Sequence, residues 1–196
     1  MLRCRKNIRL KNFDYRSNYR HFITICTKNR ENYLGKLDGE EIILSEIGQT
    51  AKNLWLEIPN HFSHVVLDQF IIMPNHIHGI IKLISVATGN QSKEIINSET
   101  GTCHGMSQLR HNIPLHNKFG QPLSGSVSVI INQYKSSVKR WCNKNGYKSF
   151  SWQSRFYDHI INNRRNLYNI RDYIKSNPHR MRKKDKMAQT KTPDNE

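Results

Sequence analysis

The chain has few acidic residues and no long apolar run. Its 15 Asp and Glu residues stand against 31 Lys and Arg residues, which gives a formal net charge of +16. This excess is larger than packing requires and predicts a polyanionic partner. No segment approaches the roughly 20 apolar residues of a membrane-spanning helix, and no apolar stretch follows the basic residues at the start of the chain. We therefore expect a soluble, cytoplasmic protein with no membrane partner.

Cysteines are also few, and their spacing carries no motif. Cys4, Cys26, Cys103 and Cys142 are scattered along the chain without a Cys-x-x-Cys pair. This pattern argues against both a zinc knuckle and a framework of disulfides. The four residues are expected to be ordinary thiols.

Composition predicts one domain with appendages. A chain of 196 residues is long enough for one domain with a substantial core. Residues 1–20 are expected to form a basic N-terminal arm, residues 21–180 the domain, and residues 181–196 a polar and basic tail. Within the domain, residues 85–125 are rich in Ser, Thr, Asn, Gly and His and lack periodicity, so they are predicted to form a flexible insertion.

Apolar residues with strand chemistry occur in four places. They are residues 21–27, the central segments 65–73 and 76–84, and the aromatic segment 149–161. Residues 34–43 indicate a hairpin-like excursion after the first strand. Pro74 and Asn75 form a turn dipeptide between the central segments, so these two strands are expected to be antiparallel neighbours.

Apolar residues at helical spacing predict three helices. One begins after Ser45 and ends near Ile58, one is basic and spans residues 126–145, and one begins after Asn162 or Asn163 and ends at Pro178. The order of these strands and helices predicts an α+β fold. We expect helices packed on an antiparallel sheet, close to a ferredoxin-like arrangement.

A histidine pair lies on the second central strand. His76 and His78 are two residues apart, so their side chains leave the same face of the sheet while Ile77 points to the other face. Two imidazoles in this position can share one metal ion. The alternative is one surface histidine and one histidine satisfied within the core, because a lone His-x-His motif is a weak signal.

A tyrosine and an asparagine lie four residues apart near the end of the last predicted helix. Tyr173 and Asn177 should therefore stand one above the other on one helix face, at the border of the apolar stripe that Ile170 and Ile174 form. A tyrosine in this position is either a nucleophile or the edge of the core. Spacing alone does not single it out among the 8 tyrosines of the chain.

Three segments together resemble the REP-associated tyrosine transposases and their insertion-sequence relatives, which belong to the HUH class of DNA-cutting enzymes. The segments are MPNHIHGII, WQSRFYDHIINN and IRDYIKSNP, and they occur in the family order. The resemblance spans roughly residues 20–180. The combination is highly specific, whereas each segment alone is not.

The resemblance implies a transposase that cuts and rejoins single-stranded DNA at hairpin-flanked sites through a 5′-phosphotyrosine. It implies that Tyr173 is the nucleophile and that His76 and His78 bind Mg²⁺ or Mn²⁺, with Ile77 as the middle residue of the HUH motif. Asn177, one helical turn after the tyrosine, is expected to be the third metal ligand. Related enzymes act as dimers or as monomers, so the resemblance leaves both states open.

The aromatic segment of the family supplies accessory candidates. Tyr157 is the rival nucleophile, although its strand position beside His159 favours a role in shaping the site. Asp158 and His159 are expected either to orient the metal ligands or to form an exposed polar turn. Gln153 belongs to the same block, and its neighbour Trp152 is either core or a platform on which bases stack.

Basic side chains on three segments are expected to contact DNA phosphates. They are Arg5, Lys6 and Arg9 in the arm, Lys135, Lys139 and Arg140 on the basic helix, and Arg164 and Arg165 at the start of the last helix. Such groups are usually solvated surface, but the net charge of +16 favours a track for DNA. DNA binding should then weaken strongly with salt.

Two other functions fit part of the pattern. An HUH replication or conjugation nickase would share the metal ligands and the tyrosine but generally carries extra domains. A non-catalytic binder of single-stranded nucleic acid would use the aromatic side chains to stack bases, and His76 and His78 would then be surface residues.

Overall fold

A computed structural model describes residues 19–39, 41–84 and 125–189, with side chains described as far as Lys183. The predicted arm through residue 18, with Arg5, Lys6 and Arg9, lies outside the described residues, as do residues 85–124 of the predicted insertion and the tail from residue 190. Over the described ranges, no helix has the length and apolar character needed to cross a bilayer.

The described residues form six strands and five α-helices. In order they are β1 (Arg20–Cys26), β2 (Gly35–Asp38), β3 (Glu41–Leu44), α1 (Glu46–Leu56), α2 (Ile58–His61), β4 (Val65–Met73), β5 (His76–Leu83), α3 (Val127–Lys144), β6 (Tyr157–Ile161), α4 (Arg164–Lys175) and α5 (Asn177–Gln189).

Four of these strands form one antiparallel sheet in the order β4-β5-β1-β6, and β2 and β3 form a separate hairpin. The sequence β1-α1-β4-β5-α3-β6 with this strand order is the ferredoxin-like arrangement. The predicted α+β class is therefore confirmed, and so is the antiparallel pairing of the two central strands across the Pro74-Asn75 turn.

One face of the sheet carries the main core. Alternation along β1 turns Ile23 and Ile25 to this face, and Ile77 joins them from β5. Helices α1 and α3 cover the face, with Trp55 of α1 fully buried among these residues. The side chain of Ser45 caps α1 by accepting a 3.1 Å hydrogen bond from the N–H of Gly48, as the sequence predicted.

The opposite face carries α4 and a smaller apolar cluster. Ile174 of α4 is fully buried against Ile80 of β5 and Ile161 of β6. Arg171, on the same helix, forms a two-pronged ion pair with Asp68 of β4, at N–O distances of 2.9 and 2.6 Å. Packing and charge together fix the position of this helix on the sheet.

Arg20, which the prediction placed in the arm, begins β1. Three predicted segments have a boundary two or more residues away from its place in the structure, and two of these boundaries involve proline. The first helix ends at Leu56, and Pro59 lies in the first turn of α2. The last predicted helix ends at Lys175, and Pro178 lies in the first turn of α5, which continues to Gln189. Proline is accommodated in a first turn because those N–H groups have no partner within the helix.

The third difference is in the aromatic segment. Only Tyr157–Ile161 is a strand, and the preceding loop is held by side chains that the prediction treated as surface. The ammonium group of Lys139 donates to the carbonyl of Lys148 at 3.1 Å, and that of Lys135 donates to the carbonyls of Gln153 and Arg155 at 2.8 Å. Of the cysteines, Cys26 and Cys142 are free thiols, and the other two lie outside the described residues.

Gly79 of β5 faces the ring of Trp55, and a Cβ atom there would overlap the indole. We expect Gly79→Ala to destabilise the fold by about 1–3 kcal/mol because the ring has no room to withdraw from the core. Urea unfolding of the full chain measures the change. In a Trp55→Phe background the smaller ring should relieve the overlap and shrink the effect of the alanine. Equal unfolding midpoints for Gly79→Ala and wild type would contradict this packing.

The Asp68–Arg171 pair makes stability depend on pH. Burial alone would raise the pKa of Asp68, but the hydrogen bonds from Arg171 and the Gln69 N–H, with the charges of Arg171 and Arg20, lower it below its usual value. A lowered carboxyl pKa stabilises the fold above the unfolded-state pKa, near 3.9, and this contribution is lost as the pH falls through the folded-state pKa.

Asp68→Asn should therefore lower the free energy of unfolding at pH 7 by up to about 1 kcal/mol, the range for exposed pairs. The difference from wild type should close as the pH falls below 4. Denaturant titrations of both proteins at several pH values test this. A difference that stays constant into acid would show that the ion pair is not its source.

Candidate active site

The histidine pair lies on the sheet face that α4 covers. In the register of the sheet, His78 stands beside Thr24 of β1, and His76 stands beside Cys26. Their ring centroids are 4.6 Å apart. Ile77 points to the opposite face and is fully buried in the main core. The geometry that the sequence predicted for His-x-His is therefore present.

Asn75, in the turn before β5, fixes the tautomer of His76. Its Oδ1 atom lies 2.6 Å from His76 Nδ1. A carboxamide oxygen only accepts hydrogen bonds, so Nδ1–H is the donor and Nε2 carries the lone pair. An imidazole in this tautomer presents Nε2 as a metal ligand.

His78 is held between β1 and α4. Its Nδ1 atom lies 2.9 Å from Thr24 Oγ1, and its Nε2 atom lies 3.5 Å from the hydroxyl of Tyr173. The side chain is 5% exposed, and the ring of Phe22 stacks on it at 5.3 Å. Burial, followed by the positive charges of His76 and Arg30, lowers the pKa of His78 to about 3. The ring is therefore neutral at neutral pH, as a metal ligand must be.

Tyr173 projects from α4 onto this histidine. Its ring centroid lies 5.3 Å from that of His78 and 6.0 Å from that of Phe22, both in edge-on geometry. The guanidinium carbon of Arg180 lies 5.2 Å from the ring centroid on the side of α5. The ring is partly buried, so Tyr173 packs at the edge of the small apolar cluster and also reaches the histidine pair.

Asn177 begins α5, so it does not share a helix with Tyr173 as predicted. The linking residue Ser176 keeps helical backbone angles, and Asn177 still follows the tyrosine by about one turn. Its side chain is 7% exposed, and its Nδ2 atom makes no hydrogen bond to the described residues. The atom without a partner is the amide nitrogen, which only donates hydrogen bonds, whereas a metal ion would bind the carboxamide oxygen.

These donors suit a small divalent cation. Within the described part of the chain, no three residues of the His, Cys, Asp and Glu types come together. The histidine face therefore offers the imidazoles of His76 and His78, of which His78 is neutral at neutral pH. Imidazole accepts Mn²⁺ and many transition metals, and carboxamide oxygen suits Mg²⁺ and Mn²⁺.

The accessory candidates divide between the two faces of the sheet. Tyr157 stands beside Thr24, and His159 beside Phe22, on the histidine face. Asp158 stands beside Ile23, on the other face, because side chains alternate along β6. Asp158 and His159 therefore lie on a strand and not on a polar turn, and their side chains leave opposite faces of the sheet, with only His159 on the face of the histidine pair.

Trp152 and Gln153 belong to the loop before β6. The indole N–H of Trp152 donates to the carbonyl of Lys135 at 3.1 Å, and its ring packs edge-on against Phe150 at 4.9 Å. These contacts favour the core interpretation of Trp152 over a base-stacking platform. The backbone N–H of Gln153 donates to the carbonyl of Cys26 at 2.8 Å, while its side chain is exposed.

The predicted phosphate contacts are placed unevenly. Lys135 and Lys139 each use two ammonium hydrogens on loop carbonyls, which leaves one donor each for a phosphate. Arg140 is exposed on α3. Arg164 and Arg165 are exposed at the start of α4, roughly 12 Å from Tyr173 along the helix.

Four residues of the site carried no signal in the sequence. Thr24 and Asn75 bond the histidine rings, Arg30 acts on His78 through its charge, and Arg180 covers Tyr173. Arg30 has a left-handed backbone with φ of 61°, which is uncommon outside glycine. Their roles depend on strand register and on the unpredicted α5, so composition and spacing could not reveal them.

Comparison with known proteins shows which solved structures and which sequences resemble this chain. No family model matches the chain. A solved structure of a REP-associated tyrosine transposase bound to a REP hairpin superimposes with a TM-score of 0.54 at 17% identity, covering 89% of this chain and 74% of that one. A candidate transposase from Deinococcus radiodurans gives a TM-score of 0.41 at 12% identity, over 86% of this chain and 95% of that one.

The fold is therefore of the tyrosine-transposase type. In sequence the chain is similar to an uncharacterized protein of Haemophilus influenzae, at 36% identity over 175 residues. That alignment covers 89% of this chain and 88% of the relative. The chain belongs to the same protein family as this Haemophilus influenzae protein.

Thr24→Val tests whether the Thr24 hydroxyl, which the sheet register places beside His78, sets the tautomer of the His78 ring. The variant keeps the side-chain shape but removes the hydroxyl that His78 Nδ1 contacts. We expect His78 in the wild type to be protonated on Nδ1, and the variant to show a mixture of tautomers in ¹⁵N-resolved ring spectra of the metal-free protein.

Thr24→Ser, which keeps the hydroxyl, is the matched control and should retain the single tautomer. The spectra of His76, which contacts Asn75, should not change in either variant. An unchanged His78 tautomer in Thr24→Val would show that the hydroxyl does not orient the ring.

Proposed function

We propose that the protein is a transposase that cuts and rejoins single-stranded DNA through a covalent 5′-phosphotyrosine at Tyr173. The observation that carries the proposal is the 3.5 Å approach of the Tyr173 hydroxyl to Nε2 of His78, on the face that also carries His76. A tyrosine hydroxyl next to a pair of imidazoles is an arrangement that suits metal-assisted phosphoryl transfer.

The nature of the DNA is proposed from the shared fold and the three sequence segments. The superimposable transposase is bound to a REP hairpin, and we extend this to a single strand with flanking hairpins for the present chain. The net charge of +16 supports a nucleic-acid partner. The cytoplasm as location, the domain limits of 21–180 and a monomeric or homodimeric state remain parts of the same proposal.

His76, His78 and Asn177 would hold the metal ion, which is Mg²⁺ or Mn²⁺. The His78 imidazole is neutral at neutral pH, His76 shares its face of the sheet, and the side chain of Asn177 is buried about one helical turn after Tyr173. When bound, the metal supplies polarisation of the scissile phosphate and stabilises the charge that develops on it.

Tyr173 then acts as the nucleophile. Its hydroxyl oxygen forms a bond to phosphorus, and the bond from phosphorus to the 3′ oxygen breaks. The phenol releases its proton to water, and the departing 3′ oxygen takes one up. A phenol has an ordinary pKa near 10, so phenolate is also a good leaving group when a DNA 3′-OH reverses the step. Rejoining therefore needs no external energy.

Two arginines support charge on the reacting groups. Arg180 lies over the Tyr173 ring, and Arg30 contributes positive potential at His78. Both cations also attract the phosphate to the side of the sheet where the tyrosine lies. Cleavage and strand transfer would thus share one positively charged site.

The test is adduct formation by the full chain. Purified protein is incubated with Mn²⁺ and a labelled single strand that carries a hairpin from the flanks of its own gene, and the products are separated on denaturing gels. We expect a covalent protein–DNA adduct from wild type and at least a 1,000-fold lower yield from Tyr173→Phe, because the nucleophilic oxygen is gone. Tyr168→Phe, a matched change at a 73% exposed tyrosine of the same helix, should retain the adduct.

Each other outcome has a distinct meaning. An adduct that survives Tyr173→Phe and disappears in Tyr157→Phe would make Tyr157 the nucleophile. Tight binding without an adduct in any protein would indicate a non-catalytic binder of single-stranded nucleic acid. An adduct of unchanged yield without added metal and with a chelator would contradict the metal-dependent mechanism.

A further inference from the structure

A shallow, open cavity of about 380 Å³ lies beside the Tyr173 ring, between the outer strand β6 and helix α4. Its size lies in the range of small-ligand sites. The sheet contributes aromatic side chains, from Phe22, Tyr157 and His159, and the helix contributes Asn166 and Asn169. None of these five side chains binds the proposed metal or is the proposed nucleophile.

The walls of the cavity differ in chemistry. The sheet side offers rings, and Tyr157 is 44% exposed, which is unusual for a tyrosine that packs only as core. The helix side offers two carboxamides three residues apart, so both lie on the helix face that meets the sheet. Each carboxamide presents a donor next to an acceptor.

Rings for stacking and amides for edge contacts are what an unpaired nucleobase requires. Bases stack on aromatic side chains whatever their sequence, and asparagine pairs with the hydrogen-bonding edge of a base. Tyr173 itself lines the cavity. A base bound there would therefore belong to a nucleotide next to the phosphate that the tyrosine attacks. A base inside a duplex could not enter, because its edge and both its faces are already occupied.

We propose that this cavity binds the unpaired base of a nucleotide adjoining the scissile phosphate. The inference rests on the proposed transposase function and deepens it. Seating the base fixes the phosphate against the Tyr173 hydroxyl, and fixed geometry of this kind accelerates attack. The two asparagines read the edge of the base, so the cavity also sets part of the sequence preference at the cut.

The test combines protein variants with altered DNA. Asn166→Ala/Asn169→Ala removes the amide contacts, and Tyr157→Leu removes a stacking ring at a position too exposed to endanger folding. Asn132→Ala, at an exposed asparagine of α3, is the matched control. The substrate is the hairpin single strand, intact or with an abasic site at either nucleotide flanking the mapped cut, and adduct yield is measured against DNA concentration.

With intact DNA, both cavity variants should need about tenfold more DNA than wild type for half-maximal adduct, as expected for the loss of one base contact. Asn132→Ala should match wild type. For wild type, one of the two abasic substrates should raise the DNA concentration needed for half-maximal adduct by a similar factor. On that substrate, the cavity variants and wild type should need the same DNA concentration. This convergence is what a merely structural role of the asparagines would not produce.

The failures are distinguishable. If wild type forms no adduct on any DNA, the proposed transposase function fails first. If wild type forms the adduct and the cavity variants have unchanged DNA dependence, the cavity does not bind a base and the inference is overturned. The inference would also be overturned if the variants raised the DNA concentration for half-maximal adduct by the same factor on intact and abasic DNA, because their effect would not depend on the base.

Discussion

The register between β1 and β5 is the constraint on which the rest of the molecule depends. It places His78 beside Thr24 and Ile77 beside Ile25, so one pairing builds both the reactive face and the main core. A slip of one residue would turn the histidines into the core and Ile77 out of it. Burying Ile77, Ile81 and Leu83 therefore holds the histidines in place. The apolar core and the polar site are two consequences of the same hydrogen-bonded ladder.

Helix α4 brings the second half of the site, and it is seated by packing and by charge. Ile174 enters the small apolar cluster, and Arg171 binds Asp68 at the edge strand β4. Tyr173 lies between these two residues in the sequence, so both contacts fix its direction. Helix α5 follows directly after Ser176, which keeps helical backbone angles, and places Arg180 over the tyrosine ring. A short helix with two independent attachments can hold one hydroxyl group close to a histidine without a large interface.

Sequence patterns predicted what depends on local periodicity and turn chemistry. The alternation around Ile77, the Pro74-Asn75 turn and the Ser45 cap all follow from a few adjacent residues, and the structure contains each of them. What the patterns missed depends on distant contacts. Lys135 and Lys139 hold the loop before β6 through backbone carbonyls, so aromatic residues that suggested a strand form a loop instead. Pro178 would interrupt the interior of a helix, yet it is accommodated in the first turn of α5, which begins at Asn177.

The electrostatics of the site agree with an anionic reacting group. Burial and nearby positive charge keep His78 neutral. The carboxylate of Asp68 is paired with Arg171 of α4, which neutralises its charge. Asp158, which could have placed a negative charge beside the histidines, points to the other face of the sheet. A phosphate approaching Tyr173 would therefore meet Arg30 and Arg180 with little repulsion from these carboxylates. Acidic residues are few in the whole chain, and two of them are kept from repelling a phosphate at the site. The strand register turns Asp158 to the other face, and the ion pair with Arg171 neutralises Asp68.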